Sequence, residues 1–194
     1  MKKRLVIIWF VPLIICCLLA ACKSTKLSGE KKMEKLESER LVLRELEPGD
    51  FNDFWELSIN WKKAPGPDFD KFPVDETGCR NFFDYSLKNM GNARFIYLRS
   101  EEKIIGLICM NGMDQNDYMD MGHIIHSDYQ NNEIDREALS MFIDYIFSTT
   151  EAKAIITNND PNEKQNAPLY SLGFTDRNEN EGQLKIDKIN WRKI

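Results

Sequence analysis

The chain is poor in the residues on which metal and nucleic-acid chemistry are built. Its 194 residues hold two histidines, His123 and His126, and five cysteines, of which Cys16, Cys17 and Cys22 crowd the first 22 positions. Positions three apart on a strand point to opposite faces, so the two histidines share no ion in regular geometry, and no third His or Cys lies beside them. Only Cys79 and Cys109 are left to the body of the chain. Two cysteines without a repeated spacing make no framework; an exported chain would permit a disulfide between them, and two buried thiols are the simpler state. Cations are also scarce, 26 Lys and Arg against 31 Asp and Glu. Such an acidic chain argues against a nucleic-acid partner, which rewards clustered Lys and Arg. There is no internal repeat, and one long apolar run, Leu5 to Leu18.

That run has a basic start, Lys2-Lys3-Arg4, and closes on Leu19-Ala20-Ala21-Cys22. This is the layout of a secretory signal over residues 1–21, and its end resembles a bacterial lipobox. Small residues suit a narrow peptidase site, and the Cys22 thiol is the expected lipid anchor, as a diacylglyceryl thioether. The alternative is an uncleaved membrane helix, for which the run is near the lower length limit; Pro12 and the small-small-Cys ending suit a processed signal better. The expected location is the cell envelope, outside the cytoplasm, with the membrane as a partner through the anchor. Loss of residues 1–21 leaves 23 cations against 31 carboxylates. Residues 22–38 read as the lipidated Cys and a polar tether, reaching ~50 Å if extended. Residues 39–194 are long enough for one domain with a substantial core.

Within that domain Arg40–Glu45 alternates as a strand, and Pro48-Gly49-Asp50 opens a helix with Asp50 as its cap. Residues 62–73 hold three prolines and a glycine and read as a loop. A second helix starts near Asp75, carrying Cys79, Phe82 and Phe83. Ala93–Arg99 and Lys103–Met110 read as a hairpin, and Met119–His126 as a further strand. Asp135–Phe147 spaces Ala138, Leu139, Phe142, Ile143, Ile146 and Phe147 as one buried helical face. A strand at Ala152–Thr157, a short helix at Asn162–Ser171 interrupted by Pro168, and a last pair of strands through Ile189 and Trp191 complete the chain. The order β-α-α-β-β-β-α-β-α-β-β specifies an α/β domain, a mixed sheet with helices on both faces.

The residues in this order resemble the GNAT acetyltransferase superfamily, and within it the ribosomal-protein-alanine acetyltransferase branch. The likeness is carried by Glu39-Arg40-Leu41-Val42-Leu43-Arg44, Ile104-Ile105-Gly106, Met121-Gly122-His123-Ile124-Ile125, Tyr129-Gln130, Asp160-Pro161-Asn162 and Leu172-Gly173-Phe174. It implies the acyl-CoA N-acyltransferase fold, acetyl-CoA as co-substrate and a primary amine, on a small molecule or a protein N-terminus, as acceptor. It further implies that the pantetheine arm pairs with Ile124, Ile125 and His126, that Asn162 contacts it or orders the loop, and that the pyrophosphate rests on the amides of Gln130, Asn131, Asn132, Glu133, Ile134 and Asp135 at a helix N-terminus. Unpaired N–H groups and the helix dipole favour an anion there.

This loop departs from the family's glycine pattern, placing Glu133 and Asp135 where Gly or Gly/Ala is usual. A carboxylate ~6 Å from a phosphate charge costs roughly 2–3 kcal/mol at an effective dielectric of about 20. In another role, Asp135 would cap the helix and Glu133 would lie near its positive end, with Arg136 as the loop's cation. For the chemistry, the resemblance implies Asp120 as the base that takes the amine's proton and Tyr170 as the acid near the thioester sulfur. Asp120 equally belongs to an acidic turn with Asp114 and Asp117, and Tyr170 matches its family position only with a one-residue gap. Two functions of different class follow: an N-acetyltransferase with a degenerate pyrophosphate loop, or a catalytically silent binding module on the same fold.

Overall fold

The computed structural model describes residues 33–63, 72–130, 133–158, 163–177 and 182–192. Among these, eight strands make one sheet: β1 (Leu36–Glu37), β2 (Leu41–Arg44), β3 (Ala93–Leu98), β4 (Lys103–Met113), β5 (Tyr118–Ile125), β6 (Ala154–Asn158), β7 (Thr175–Asp176) and β8 (Gln183–Asp187). Their order across the sheet is β1-β2-β3-β4-β5-β6-β8-β7. Neighbours are antiparallel except β5 and β6, which run parallel and are joined by a helical crossover, as parallel strands require. The helices are α1 (Phe51–Trp61), α2 (Glu76–Asn89), α3 (Ile134–Thr149) and α4 (Glu163–Ser171). The expected mixed sheet with helices is the observed architecture.

The period-2 alternation of the strands divides the apolar residues between two cores. One lies under α3 and α4 and is mainly aliphatic: Leu41, Leu43, Ile96, Met119, Met121, Ile155, Leu184 and Ile186 meet Leu139, Phe142, Ile143, Ile146 and Leu169. The other lies under α1 and α2 and is mainly aromatic: Phe51, Phe54, Trp61, Phe83 and Phe95 close over Ile104 and Ile124. Its rings meet edge-on, as between Phe54 and Phe83 at 5.3 Å, which suits their quadrupoles. Asp75 caps α2, accepting from the Gly78 amide at 2.8 Å.

Several boundaries differ from the sequence reading. The polar stretch taken as tether to Ser38 contributes β1, which pairs with β2, and Met33 is buried in the aliphatic core. Its holding group is Arg94, a buried guanidinium on β3 that donates to the Met33 carbonyl and to Ala93 O at 2.5 Å, with Glu45 at 3.6 Å. Asp50 makes no side-chain cap on α1; its carboxylate accepts the Glu47 amide at 2.6 Å and both terminal nitrogens of Arg44 at 2.7 and 2.9 Å. Strand β4 runs three residues past Met110, through a bulge. The last strand stops at Asp187, and Ile189 is 92% exposed in a 3-10 turn. Pro168 sits inside α4, which persists because Leu169 and Leu172 are buried. Cys79 and Cys109 are both free thiols, and burial pushes the Cys79 thiol up to about 11. No helix among the described residues is long and apolar enough to cross a membrane. The segment holding Cys22 and the signal lies outside the described residues.

Candidate functional site

Strands β5 and β6 pair over three positions only, Tyr118 with Ala154, Met119 with Ile155 and Asp120 with Ile156. Strand β5 continues to Ile125 against β4 alone, so its edge toward β6 has no ladder from Met121 onward. Backbone groups alternate in direction along a strand. The His126 amide donates to Ile105 O on β4 at 2.8 Å, which sends the N–H and C=O of Ile125 and His123 toward the open edge. Of the three residues expected to pair with pantetheine, Ile125 alone presents its backbone there. The Ile124 backbone and the His126 amide turn to β4, and the His126 carbonyl accepts the Tyr129 amide at 2.9 Å, a correction that the strand period forces. The Ile125 carbonyl accepts Gln130 Nε2 at 3.1 Å.

Asp120 stands where the pairing stops. Met119 and Met121 belong to the aliphatic core, so Asp120, Gly122 and Ile124 face the other way, on the aromatic side of the sheet. Burial raises the Asp120 pKa above the ordinary aspartate value, opposed by a hydrogen bond from Asn111. It is distinct from the acidic turn. Asp114 accepts the amides of Asn116 and Tyr118 at 2.8 and 2.9 Å, and Asp117 pairs with Lys153 at 2.8 Å.

Tyr170 is not at this place. It lies on α4, 44% exposed, and its hydroxyl donates to Asp176 Oδ1 at 3.2 Å. Asp176 pairs with Leu184, a member of the aliphatic core, so this hydroxyl is on the opposite face of the sheet from Asp120. It is also three strands removed from β5, ~14 Å at the usual strand spacing. The expected base and acid therefore do not meet, and the buried Leu169 takes the inward position of that helix.

At the loop, α3 begins at Ile134, not Asp135, and Glu133 is its N-cap residue without a side-chain cap bond. Asp135 is thus the second helical residue and is buried, 3% exposed, and Ile134 packs against the aliphatic core. Glu133 points outward, its side chain 83% exposed, and faces Arg40 Nη1 at 3.4 Å. Arg40 also donates to Glu137 Oε2 at 2.6 Å. The cation expected to be Arg136 is therefore supplied from β2's leading edge, 93 residues away in sequence from Glu133. Asn131, Asn132 and Asn162 lie outside the described residues.

His126 ends β5 and is buried. Its Nδ1 accepts the Asp128 amide at 3.2 Å, and burial holds its pKa below the ordinary histidine value. Tyr129 donates to Glu101 at 2.5 Å, and that bond, with burial, pushes its hydroxyl up to about 12. His123 faces the aliphatic side. Among the described residues no group of three or more His, Cys, Asp or Glu could hold a metal. Trp61 is core, and Trp55 donates to Val74 O at 3.0 Å.

Neither a site role for the Cys109 thiol nor any role for Asn111 is signalled by the sequence. The Asn111-Gly112 pair, which reads as a turn, instead makes a bulge in β4, where Gly112 takes φ 142. That bulge brings Asn111 beside Asp120.

Residues 40–175 match the family model described as an acetyltransferase (GNAT) domain. Among proteins of curated function, none matches by sequence. Among solved structures, a GNAT-family acetyltransferase from Bacillus anthracis is 18% identical with TM-score 0.64, over 81% of this chain and 100% of its own. A ribosomal-protein-S5-alanine acetyltransferase from Vibrio fischeri is 18% identical with TM-score 0.58, over 82% and 100%. A microcin C7 self-immunity acetyltransferase, solved with acetyl-CoA and AMP, is 17% identical with TM-score 0.60, over 77% and 93%.

Proposed function

This chain belongs to the GNAT acetyltransferase family, and from that premise we propose that it transfers the acetyl group of acetyl-CoA to a primary amine, with Asp120 as the base. The observation that carries the reading is the end of β5–β6 pairing at Asp120, beside the carboxylate. The free β5 edge offers the Ile125 backbone to an extended amide chain. The amine nitrogen forms its bond to the thioester carbonyl, the C–S bond breaks, and the thiolate of CoA leaves. Asp120 takes the proton that the ammonium must lose, directly or through one water. Its raised pKa makes it a better proton acceptor than an exposed aspartate once ionised. Asp120→Asn is expected to lower kcat/KM for acetyl transfer by ~10²–10⁴-fold. A rate within threefold of the parent removes Asp120 from the mechanism.

Glu133 is the one outward carboxylate of the suspected pair, and Arg40 offsets it. On this reading the acidic loop lowers affinity for the diphosphate and Arg40 limits that cost. The Gln130 amide on the Ile125 carbonyl favours a second reading, a silent binding module, because it occupies the acceptor that pantetheine would use. Calorimetry separates the two: no heat with acetyl-CoA at millimolar concentration leaves only the silent module.

We further propose that residues 1–21 are a cleaved leader and that a lipid on Cys22 holds the domain on the outer side of a membrane, in the cell envelope. This rests on the basic start, the apolar run and the Ala20-Ala21-Cys22 ending. Labelled palmitate incorporated by the parent and lost in Cys22→Ala supports the anchor, and equal labelling of the two removes it. Protein N-termini are a suitable acceptor class, since related structures include a ribosomal-protein-alanine acetyltransferase.

A further inference from the structure

We infer that Cys109 and Asn111 form a two-step hydrogen-bond relay that fixes the orientation of the Asp120 carboxylate, which makes both of them positioning residues. The inference rests on Asp120 being the base. Cys109 pairs with Gly122 across the β4–β5 ladder, and the bulge sets Asn111 between the Met110–Met121 and Gly112–Asp120 pairs. Cys109 and Asn111 therefore project on the side of the sheet that carries Asp120. Cys109 Sγ donates to Asn111 Oδ1 at 3.2 Å. With its oxygen engaged by the thiol, the amide is left with Nδ2 as its donor, on the face of the Gly112–Asp120 pair, where an Asn111 hydrogen bond would lower the Asp120 pKa against burial. Polarity runs one way, from S–H to amide oxygen and from amide N–H to carboxylate. One Asp120 oxygen is held and the other is left for a proton in flight.

Gly122 makes the relay possible. A Cβ there would sit 3.0 Å from Cys109 Sγ and 3.3 Å from Asn111 Nδ2, so any larger residue displaces both groups. Among the described residues the cations on this face stand over Tyr118, with Lys185 Nζ 5.2 Å and Arg177 Cζ 5.5 Å from its ring centroid, and the Asp120 carboxylate answers to burial and to Asn111. Tyr118 lies one pleat away on β5. Lys185 on β8 is paired with Ile156 and so is two strands from β5, ~10 Å.

The test uses the full chain in detergent and reads the Asp120 carboxyl carbon by NMR titration, alongside the pH profile of acetyl transfer. Asn111→Ala removes a bond to the charged form, so the Asp120 midpoint moves up by about one pH unit, and the acidic limb of kcat/KM moves with it. The KM for acetyl-CoA stays at the parent value. Cys109→Ala gives a smaller upward shift, and Cys109→Ser, which keeps a donor, restores the parent midpoint. Gly122→Ala supplies the same upward shift by displacement, should Asn111→Ala not fold. An Asp120 midpoint unmoved in Asn111→Ala, or in Gly122→Ala in its place, overturns the relay. Equal midpoints for Cys109→Ala, Cys109→Ser and parent overturn the thiol's part. A shifted midpoint in a protein without transfer activity upholds the relay and sinks the reading of Asp120 as base.

Discussion

The two faces of the sheet are covered to different extents. The aliphatic core under α3 and α4 draws residues from every strand from β2 to β6 and from β8. The aromatic core under α1 and α2 reaches β3, β4 and β5 and, among the described residues, takes none from β6 or β8. Covering is what a fold needs, and on the second face it stops at the strand that carries Asp120. A half-buried carboxylate at such a margin is dry enough to have its pKa raised and open enough to meet a substrate. The complete face gives stability, and the incomplete one ends at the strand that bears the proposed base.

The contrast can be broken first at its rigid side. Phe142 is fully buried on α3, and Phe142→Ala is expected to cost ~3–5 kcal/mol in denaturant unfolding. A loss under 1 kcal/mol, on the order of a tolerated core swap, would mean that this face does not hold the fold together. The second test sets one face against the other: Tyr170→Phe should leave acetyl transfer near the parent rate, whereas Asp120→Asn loses orders of magnitude. Comparable losses in the two would place Tyr170 at the site after all. Third, Arg40→Ala uncovers Glu133 and should weaken CoA binding by about two- to fivefold, as for a partly exposed ion pair. Adding Glu133→Gln should restore it, and calorimetry in low salt reads both.

The smallest effect concerns stability against pH. The folded-state pKa of Asp120 is raised, so folding favours its protonated form. That contribution is fully present below the unfolded aspartate value and is lost as pH rises through the folded value. Asp120→Asn lacks this loss, so its urea midpoint should exceed the parent's at neutral pH and approach it in acid. A constant difference at both pH values would assign the gain to packing instead of charge.

Much of this was legible in the sequence because the governing signals are local. The helical spacing from Ala138 to Phe147, the alternation in β2 and the Asp75 cap each report a preference that the fold keeps. The place of Asp120 on its strand was legible too, since Met119–Ile125 lies in strand β5 as its pattern predicts. What was not legible depends on partners far apart in the chain or on a change of period. Arg40 answers Glu133 across 93 residues. The strand expected to end at Met110 continues because Asn111-Gly112, a pair that ordinarily turns the chain, is absorbed as a bulge against β5 and the ladder resumes. Tyr170 was misplaced because its neighbour Leu169 competes for the inward direction, and the larger apolar gain goes to the leucine.

Arg94 has a mechanical consequence. Strands β1 and β2 share two residue pairs, a seam too short to resist much tension alone. A pull arriving along the chain at Met33 is passed instead to a guanidinium rooted at the start of β3, and from there into the sheet. The Met33 carbonyl thus acts as a strain relief, like the clamp where a cable enters its housing, and spares the strand behind it.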